Sequence, residues 1–122
     1  MPFVPSYSEK EPSRVELDRC CGLLVVEFGA SWCPYCQAIQ PILEREFAGH
    51  PQVDHLKIAD GKGRRLGRSF GVKLWPNLVF LLDGQVRGQL ARPSAAEIQR
   101  AFNELSAKST QGAEPTRCQR LA

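Results

Sequence analysis

Residues Leu23-Leu24-Val25-Val26-Glu27-Phe28 make an apolar run with one acid inside it. Six residues are too few for a core helix, so the run predicts a strand buried on both faces, central or parallel in its sheet. Gly29-Ala30-Ser31 breaks the strand and leads into Trp32-Cys33-Pro34-Tyr35-Cys36. From Pro34 to about Ala48 the pattern turns helical, with Ile39, Leu43 and Phe47 about one turn apart. Pro34 suits a first-turn position, where its missing N–H is not needed. Pro41 predicts a kink, because a proline inside a helix costs about 3 kcal/mol.

The remaining elements follow from local signals. Glu11 to Asp18 predicts a short helix ending near Cys20-Cys21-Gly22, Val53 to Ile58 a second strand, and Lys62 to Ser69 a short basic helix bounded by glycines. Leu78–Leu82 and Gln85–Leu90 are joined by Asp83-Gly84, a strong hairpin signal. Ser94-Ala95-Ala96-Glu97 is a capping-box sequence ahead of Ile98, Phe102 and Leu105 on one helical face. The order helix, strand, helix, strand, helix, strand, strand, helix predicts a right-handed parallel crossover followed by an antiparallel hairpin. The expected architecture is α/β, a mixed central sheet with helices on both faces. Residues 1–12 read as a loosely held arm, 13–106 as the single domain and 107–122 as a polar tail.

With 122 residues, 43% of them apolar and 24% charged, the chain has the composition of one soluble globular domain. The longest apolar run is far shorter than the roughly 18–20 residues that span a bilayer, so no membrane partner is expected. The net charge of +3 is mild. No aromatic ladder accompanies the basic cluster Lys62, Arg64, Arg65, Arg68 and Lys73, so nucleic acid is not an expected partner; the cluster reads as a solvated face or as a positive field favouring thiolates and acidic partners. Residues 1–12 carry prolines and charges where a secretory signal has its apolar core, which makes the cytoplasm the expected location.

Five cysteines cannot all pair within one chain, which disfavours a pure disulfide scaffold. In a reducing compartment C-x-x-C reads as redox or metal chemistry. A closed zinc site needs four ligands, the adjacent pair Cys20-Cys21 chelates poorly, and His50 and His55 show no ligand-like spacing to the cysteines. Redox chemistry is therefore favoured, with no metal or organic cofactor required. Two thiols three residues apart at a helix start can reach each other. The first faces the free N–H groups and the positive end of the helix dipole, which stabilise the thiolate that attacks disulfides. Cys33 is then the nucleophile and Cys36 the resolving thiol, with Trp32 shielding one side. Cys20, Cys21 and Cys118 read as buried or incidental thiols, with a bridging role for the tail cysteine left open.

Several segments together resemble the thioredoxin family. Val26 to Cys36 resembles its active-site strand and turn, Pro41 its helix-kinking proline, Phe70 to Phe80 the segment carrying its cis-proline, and Asp83-Gly84 the hairpin behind it. The resemblance covers roughly Arg14 to Leu105. It implies a thioredoxin fold and a thiol–disulfide oxidoreductase in which Cys33 attacks, Cys36 resolves, and Pro76 is the cis-proline beside the disulfide, where neighbouring backbone can pair with a substrate. It also implies that Glu27 is the buried acid that helps move the resolving thiol's proton, with Lys57 as its partner. A lone acid in an apolar strand is costly unless paired or protonated, so burial should raise the Glu27 pKa towards the range of a base; the alternative is that Glu27 faces solvent at a strand edge.

Some positions depart from the family pattern. Pro34-Tyr35 between the cysteines is typical of glutaredoxins, and it predicts a less reducing couple than thioredoxin's, nearer roughly −200 to −230 mV. No Gly-Gly-Asp-like glutathione clamp follows the hairpin, so glutathione dependence is the lesser alternative, beside a non-catalytic binding module. Ala91-Arg92-Pro93 stands where thioredoxins usually carry a substrate-accommodating glycine, and Trp75 reads either as a substrate platform or as a packed aromatic. The expected partners of this monomer are protein disulfides and an external electron donor, either a thioredoxin reductase-like protein or glutathione.

Overall fold

The structure is a computed structural model that describes residues 3–109. Nine elements follow the expected order: α1 (Arg14–Asp18), β1 (Leu23–Gly29), α2 (Pro34–Ala38), α3 (Gln40–Gly49), β2 (Val53–Ala59), α4 (Arg65–Ser69), β3 (Asn77–Leu82), β4 (Gln85–Ala91) and α5 (Ala95–Ser109). The sheet runs β2-β1-β3-β4, with β1 parallel to β2 and the other pairs antiparallel. All seven residues of β1 are buried, as the apolar run requires.

Strand alternation sorts the core into two layers. Leu23 and Val25 of β1, with Leu78, Phe80 and Leu82 of β3, meet Leu43 and Phe47 of α3 and Ile98, Phe102 and Leu105 of α5. Leu24, Val26 and Phe28, with Val79 and Leu81, meet Leu17 of α1 and Leu66 of α4 on the opposite face. Each large apolar side chain so buried contributes roughly 1.5–3 kcal/mol relative to exposure. By the period of two, Glu27 falls on the same side as Val25 and ends up under α3.

Local chemistry sets the joints. The expected kinked helix is two helices: Ile39 is at once the C-cap of α2 and the N-cap of α3, and Pro41 sits in the first turn of α3. A proline there removes no helical hydrogen bond, and the break falls at Ile39, two residues before the proline itself. Asp83 and Gly84 both have positive φ, +50° and +81°, as a tight two-residue hairpin turn demands. The turn docks on Gly22, whose N–H donates to Asp83 Oδ1 at 2.7 Å. A Cβ on Gly84 would lie 2.1 Å from Asp18 O, so only glycine fits that contact. The capping boxes close as reciprocal pairs, Ser13 with Glu16 before α1 and Ser94 with Glu97 before α5.

Besides the later starts of α1 and α4, at Arg14 and Arg65, the two ends of the domain differ from the sequence reading. Where a loose arm is expected, the chain from Val4 to Ser8 lies along the β2 edge, and Glu9 and Glu11 bond to Arg64 and to the first N–H groups of α4. Ser8 bridges Ile58 in parallel, its N–H donating to Lys57 O at 2.8 Å and its carbonyl accepting from Ala59 N–H at 2.9 Å. The β2 edge has unpaired backbone groups, and the arm satisfies them. At the other end α5 continues to Ser109, so the polar stretch expected from residue 107 begins as helix; residues 110–122 and Cys118 lie outside the described residues. Cys20 is a buried thiol donating to Glu16 O, whereas Cys21 is disulfide-bonded, contrary to the incidental thiol expected there. Among the described residues no helix is long and apolar enough to cross a membrane.

Candidate active site

Cys33 is the N-cap of α2, and its Sγ accepts the Cys36 N–H at 3.3 Å. The strand β1 delivers the chain to this point, and Pro34, at the first helical position, fixes the helix start. Both sulfurs are buried, at 4% and 1% exposure, in a small cluster with Ala30, Tyr7 and Trp75. An anionic sulfur on Cys33 would sit against the unpaired N–H groups of the helix start. Cys36 lies one turn inside. Its thiol is pushed up to about 11, by burial first and then by its hydrogen bond with Cys33, against a smaller lowering by Ala30 and Tyr7.

Of the expected substrate-contacting residues, Trp75 packs against the cluster that holds Cys33 and Trp32 precedes Cys33 in the chain. Trp32 is 71% exposed and meets Trp75 edge-on with ring centroids 5.6 Å apart. Pro76 is buried, and the Trp75–Pro76 peptide bond is cis. Trp75 is tethered as well as packed: its Nε1–H donates to Asp60 Oδ2 at 2.9 Å, and its carbonyl accepts from Arg92 Nε at 2.8 Å. Arg92 occupies the left-handed region at φ +48°, where glycine is the easy residue, and its guanidinium lies 4.1 Å from the Tyr35 ring centre. The Cys33 side of the site thus carries the Arg92 cation above the Tyr35 ring, beside the Trp32–Trp75 pair.

On the other side of the cysteines the Glu27 carboxylate is fully buried and accepts three hydrogen bonds. Tyr7 OH donates to Oε2 at 2.8 Å, Gln40 Nε2 to Oε2 at 2.9 Å, and His55 Nε2 to Oε1 at 2.8 Å. The other His55 nitrogen, Nδ1, accepts the Val4 N–H at 2.9 Å, which fixes the neutral tautomer with its proton on Nε2. Burial holds His55 below its usual range, only partly offset by its bond to Glu27.

Glu27 is buried as expected, not turned to solvent at a strand edge, but its pKa is lowered instead of raised. Burial pushes it up, but the hydrogen bond from His55, then the charge of Lys57 and the hydrogen bond from Gln40, outweigh burial. Hydrogen bonds to the charged form are the deciding effect. Lys57 is also not the direct partner. In register it sits beside Glu27, yet Nζ donates to Pro5 O at 2.9 Å and Gln40 Oε1 at 2.6 Å, so it reaches Glu27 only through the Gln40 amide. Burial lowers the Lys57 pKa, with Glu27 and Cys36 acting the other way.

Sequence reasoning missed His55 as a partner of Glu27, and missed Tyr7 and Gln40. Strand periodicity could have found His55, two residues before Lys57 on the same face of β2. Tyr7 leaves no periodic signal, because its position depends on the path of the arm. A cavity of about 490 Å³ opens beside this network, its lining including Tyr7, Trp32, Cys36, Gln40, Lys57 and Arg64. Among the described residues no group of three or more His, Cys, Asp or Glu is placed to hold a metal ion.

Comparison with known proteins gives a consistent pattern. The sequence model of the family described as Thioredoxin matches residues 9–104. A thioredoxin H-type from Ricinus communis is 30% identical over 81 residues, covering 66% of this chain and 69% of that protein. A thioredoxin from Chlamydia muridarum is 38% identical over 64 residues, covering 52% of this chain and 63% of that one. The solved structure of reduced thioredoxin 2 from Pseudomonas aeruginosa PAO1 superposes with a TM-score of 0.78 at 50% identity, over 87% of this chain and 99% of its own.

The neutral, buried His55 makes stability depend on pH. Its folded pKa lies below the unfolded one, so below about pH 6.5 the unfolded chain binds the extra proton and stability falls as pH drops; Glu27, also lowered, adds a loss below its ordinary range. Urea unfolding of the wild type should show a slope on the order of 1 kcal/mol per pH unit at most between neutrality and pH 5. His55→Gln, which still can donate to Glu27 but does not titrate, should flatten that slope; an unchanged slope would refute the assignment.

Proposed function

The chain belongs to the thioredoxin family of protein thiol–disulfide oxidoreductases, and from that premise we propose that it reduces protein disulfides with Cys33 as nucleophile and Cys36 as resolving thiol. The observation that carries this assignment is the position of Cys33 at the start of α2, with its Sγ held by the Cys36 N–H. Cys33 attacks one sulfur of the substrate disulfide and expels the other as a thiolate, forming a mixed disulfide. Cys36 then loses its proton and attacks Cys33 Sγ. The Cys33–Cys36 bond forms as the bond to the substrate breaks, and the second substrate thiolate leaves. Both electrons end on the substrate, so an external donor must reduce the protein again before the next cycle.

Trp32, Trp75 and Pro76 are assigned to the surface on which a substrate strand is received beside Cys33, and Arg92 narrows that surface. Glu27 is assigned to the second step, in which a thiol pushed up to about 11 has to be deprotonated. Lys57 is assigned a supporting role through Gln40. A monomer acting in a reducing compartment such as the cytoplasm, recycled by a reductase of the kind that serves thioredoxins, fits this chemistry.

Insulin-disulfide reduction with dithiothreitol as donor should be accelerated by the wild type and not by Cys33→Ser; equal rates for the two proteins would overturn the redox assignment. The Pro34-Tyr35 dipeptide is assigned a less reducing couple. Equilibration of Cys33/Cys36 in glutathione buffers should give a potential nearer roughly −200 to −230 mV, and a value near −270 mV would contradict that assignment.

A further inference from the structure

The resolving thiol has a protein partner that comes from the amino-terminal arm. Gly29 has no positive φ to explain its identity, but a Cβ there would lie 2.6 Å from Cys36 Sγ and 2.7 Å from Tyr7 Oη. The thiol and the phenol therefore face each other across the space that a side chain would fill. The Tyr7 O–H is already committed to Glu27 Oε2 at 2.8 Å, which leaves an oxygen lone pair available to the thiol. The ring cannot drift from this position. Lys57 Nζ sits 4.6 Å from its centre, and the next residue, Ser8, is stitched to β2 by two backbone hydrogen bonds.

We propose that Tyr7 is a catalytic residue of the resolving step, its hydroxyl passing the Cys36 proton to Glu27. This rests on the dithiol mechanism assigned above and adds a residue to it. As the Cys36 S–H bond breaks, a new O–H bond forms on Tyr7, and the proton Tyr7 already held moves to Glu27 Oε2. The Cys36 thiolate attacks Cys33 Sγ, the Cys33–Cys36 bond forms, and the substrate sulfur leaves with the electron pair. The substrate thiolate takes a proton from solvent, and Glu27 returns its own to the Tyr7 oxygen as Tyr7, which lines the adjoining cavity, gives its proton up there, so the count closes.

The two transfers have to be concerted. Burial and the neighbouring Glu27 carboxylate push the phenol far above its ordinary range, so a free tyrosinate does not form. Glu27 is held ionised, so it is always ready to receive the proton and does not retain it. The other charged or titratable groups around the path are His55 and Lys57 from β2 and Cys33 from the start of α2, and the cavity wall adds Glu9, Asp60 and Arg64. In the mixed disulfide Cys33 carries no proton, and His55 is neutral above its ordinary range.

The test uses the reduced full chain and dithiobis(nitrobenzoate), an aromatic disulfide whose two halves each absorb on release. The first release reports attack by Cys33 and the second reports resolution by Cys36. Tyr7→Phe keeps the ring and removes the hydroxyl. It should leave the first phase in place and slow the second by about tenfold or more near neutral pH, within the range that positioned acid–base groups supply. The pH profile separates a proton path from a packing role. Wild-type resolution should be nearly flat between about pH 6 and 8, whereas the variant should gain about tenfold per unit as solvent replaces the relay. Glu27→Gln should slow the same phase, and the double variant should be no slower than the slower single one, because groups acting in series are not additive. A Tyr7→Phe second phase with wild-type rate and profile, or additive losses in the double variant, would overturn the role of Tyr7 alone. Absence of a first phase in the wild type would instead overturn the assignment of Cys33, and the relay with it.

Discussion

A carboxylate in the middle of a sheet is the constraint to which the rest of the site answers. Glu27 lies on a strand whose every residue is buried, and an unpaired charge there would cost several kcal/mol. Four residues from three parts of the chain meet this demand. The arm supplies Tyr7, α3 supplies Gln40, β2 supplies His55, and Lys57 adds its charge through Gln40. Docking of the arm on the β2 edge is therefore coupled to satisfaction of the core charge. Removing one partner would leave the others holding a partly solvated acid.

The same strand that buries Glu27 carries the chain to Cys33, so one piece of sequence sets both the proposed nucleophile and the acid assigned to the resolving thiol. The break at Ile39 has a related consequence. By ending α2 early, it lets α3 begin at Gln40, whose amide bridges Glu27, Lys57 and the Cys36 carbonyl. The two sides of the cysteine pair are built differently. Cys33 packs with Trp75, which meets Trp32 and is held by Arg92, the surface proposed to receive a polypeptide. Cys36 faces Tyr7 and the carboxylate network, a surface suited to a proton.

Much of the fold was legible because it is written in local signals. The β1 run, the Asp83-Gly84 turn and the Ser94–Glu97 capping box each specify their geometry within a few residues, and each appears where the sequence places it. The cysteine pair was legible for the same reason. The partners of Glu27 were not, because they depend on tertiary placement. Lys57 is the register neighbour of Glu27, so it is the natural guess, yet its long side chain turns to the arm and to Gln40 while the shorter His55 ring reaches the carboxylate. The direction of the Glu27 shift was misread from the same cause: burial alone predicts a raised value, and only the donors reverse it. Tyr7 lies in a Pro- and Ser-rich segment that carries no secondary-structure pattern, so only its docking on β2 reveals its use.

Cys36 is a proton-holding thiol set into a prepared network, unlike Cys33 at the helix start, to which attack is assigned. Nuclear magnetic resonance titration of the reduced protein carrying cysteine labelled with carbon-13 at Cβ follows each thiol separately. Cys36 should titrate near 11. A Cys36 midpoint at or below 9.0, the ordinary thiol value, would contradict the account.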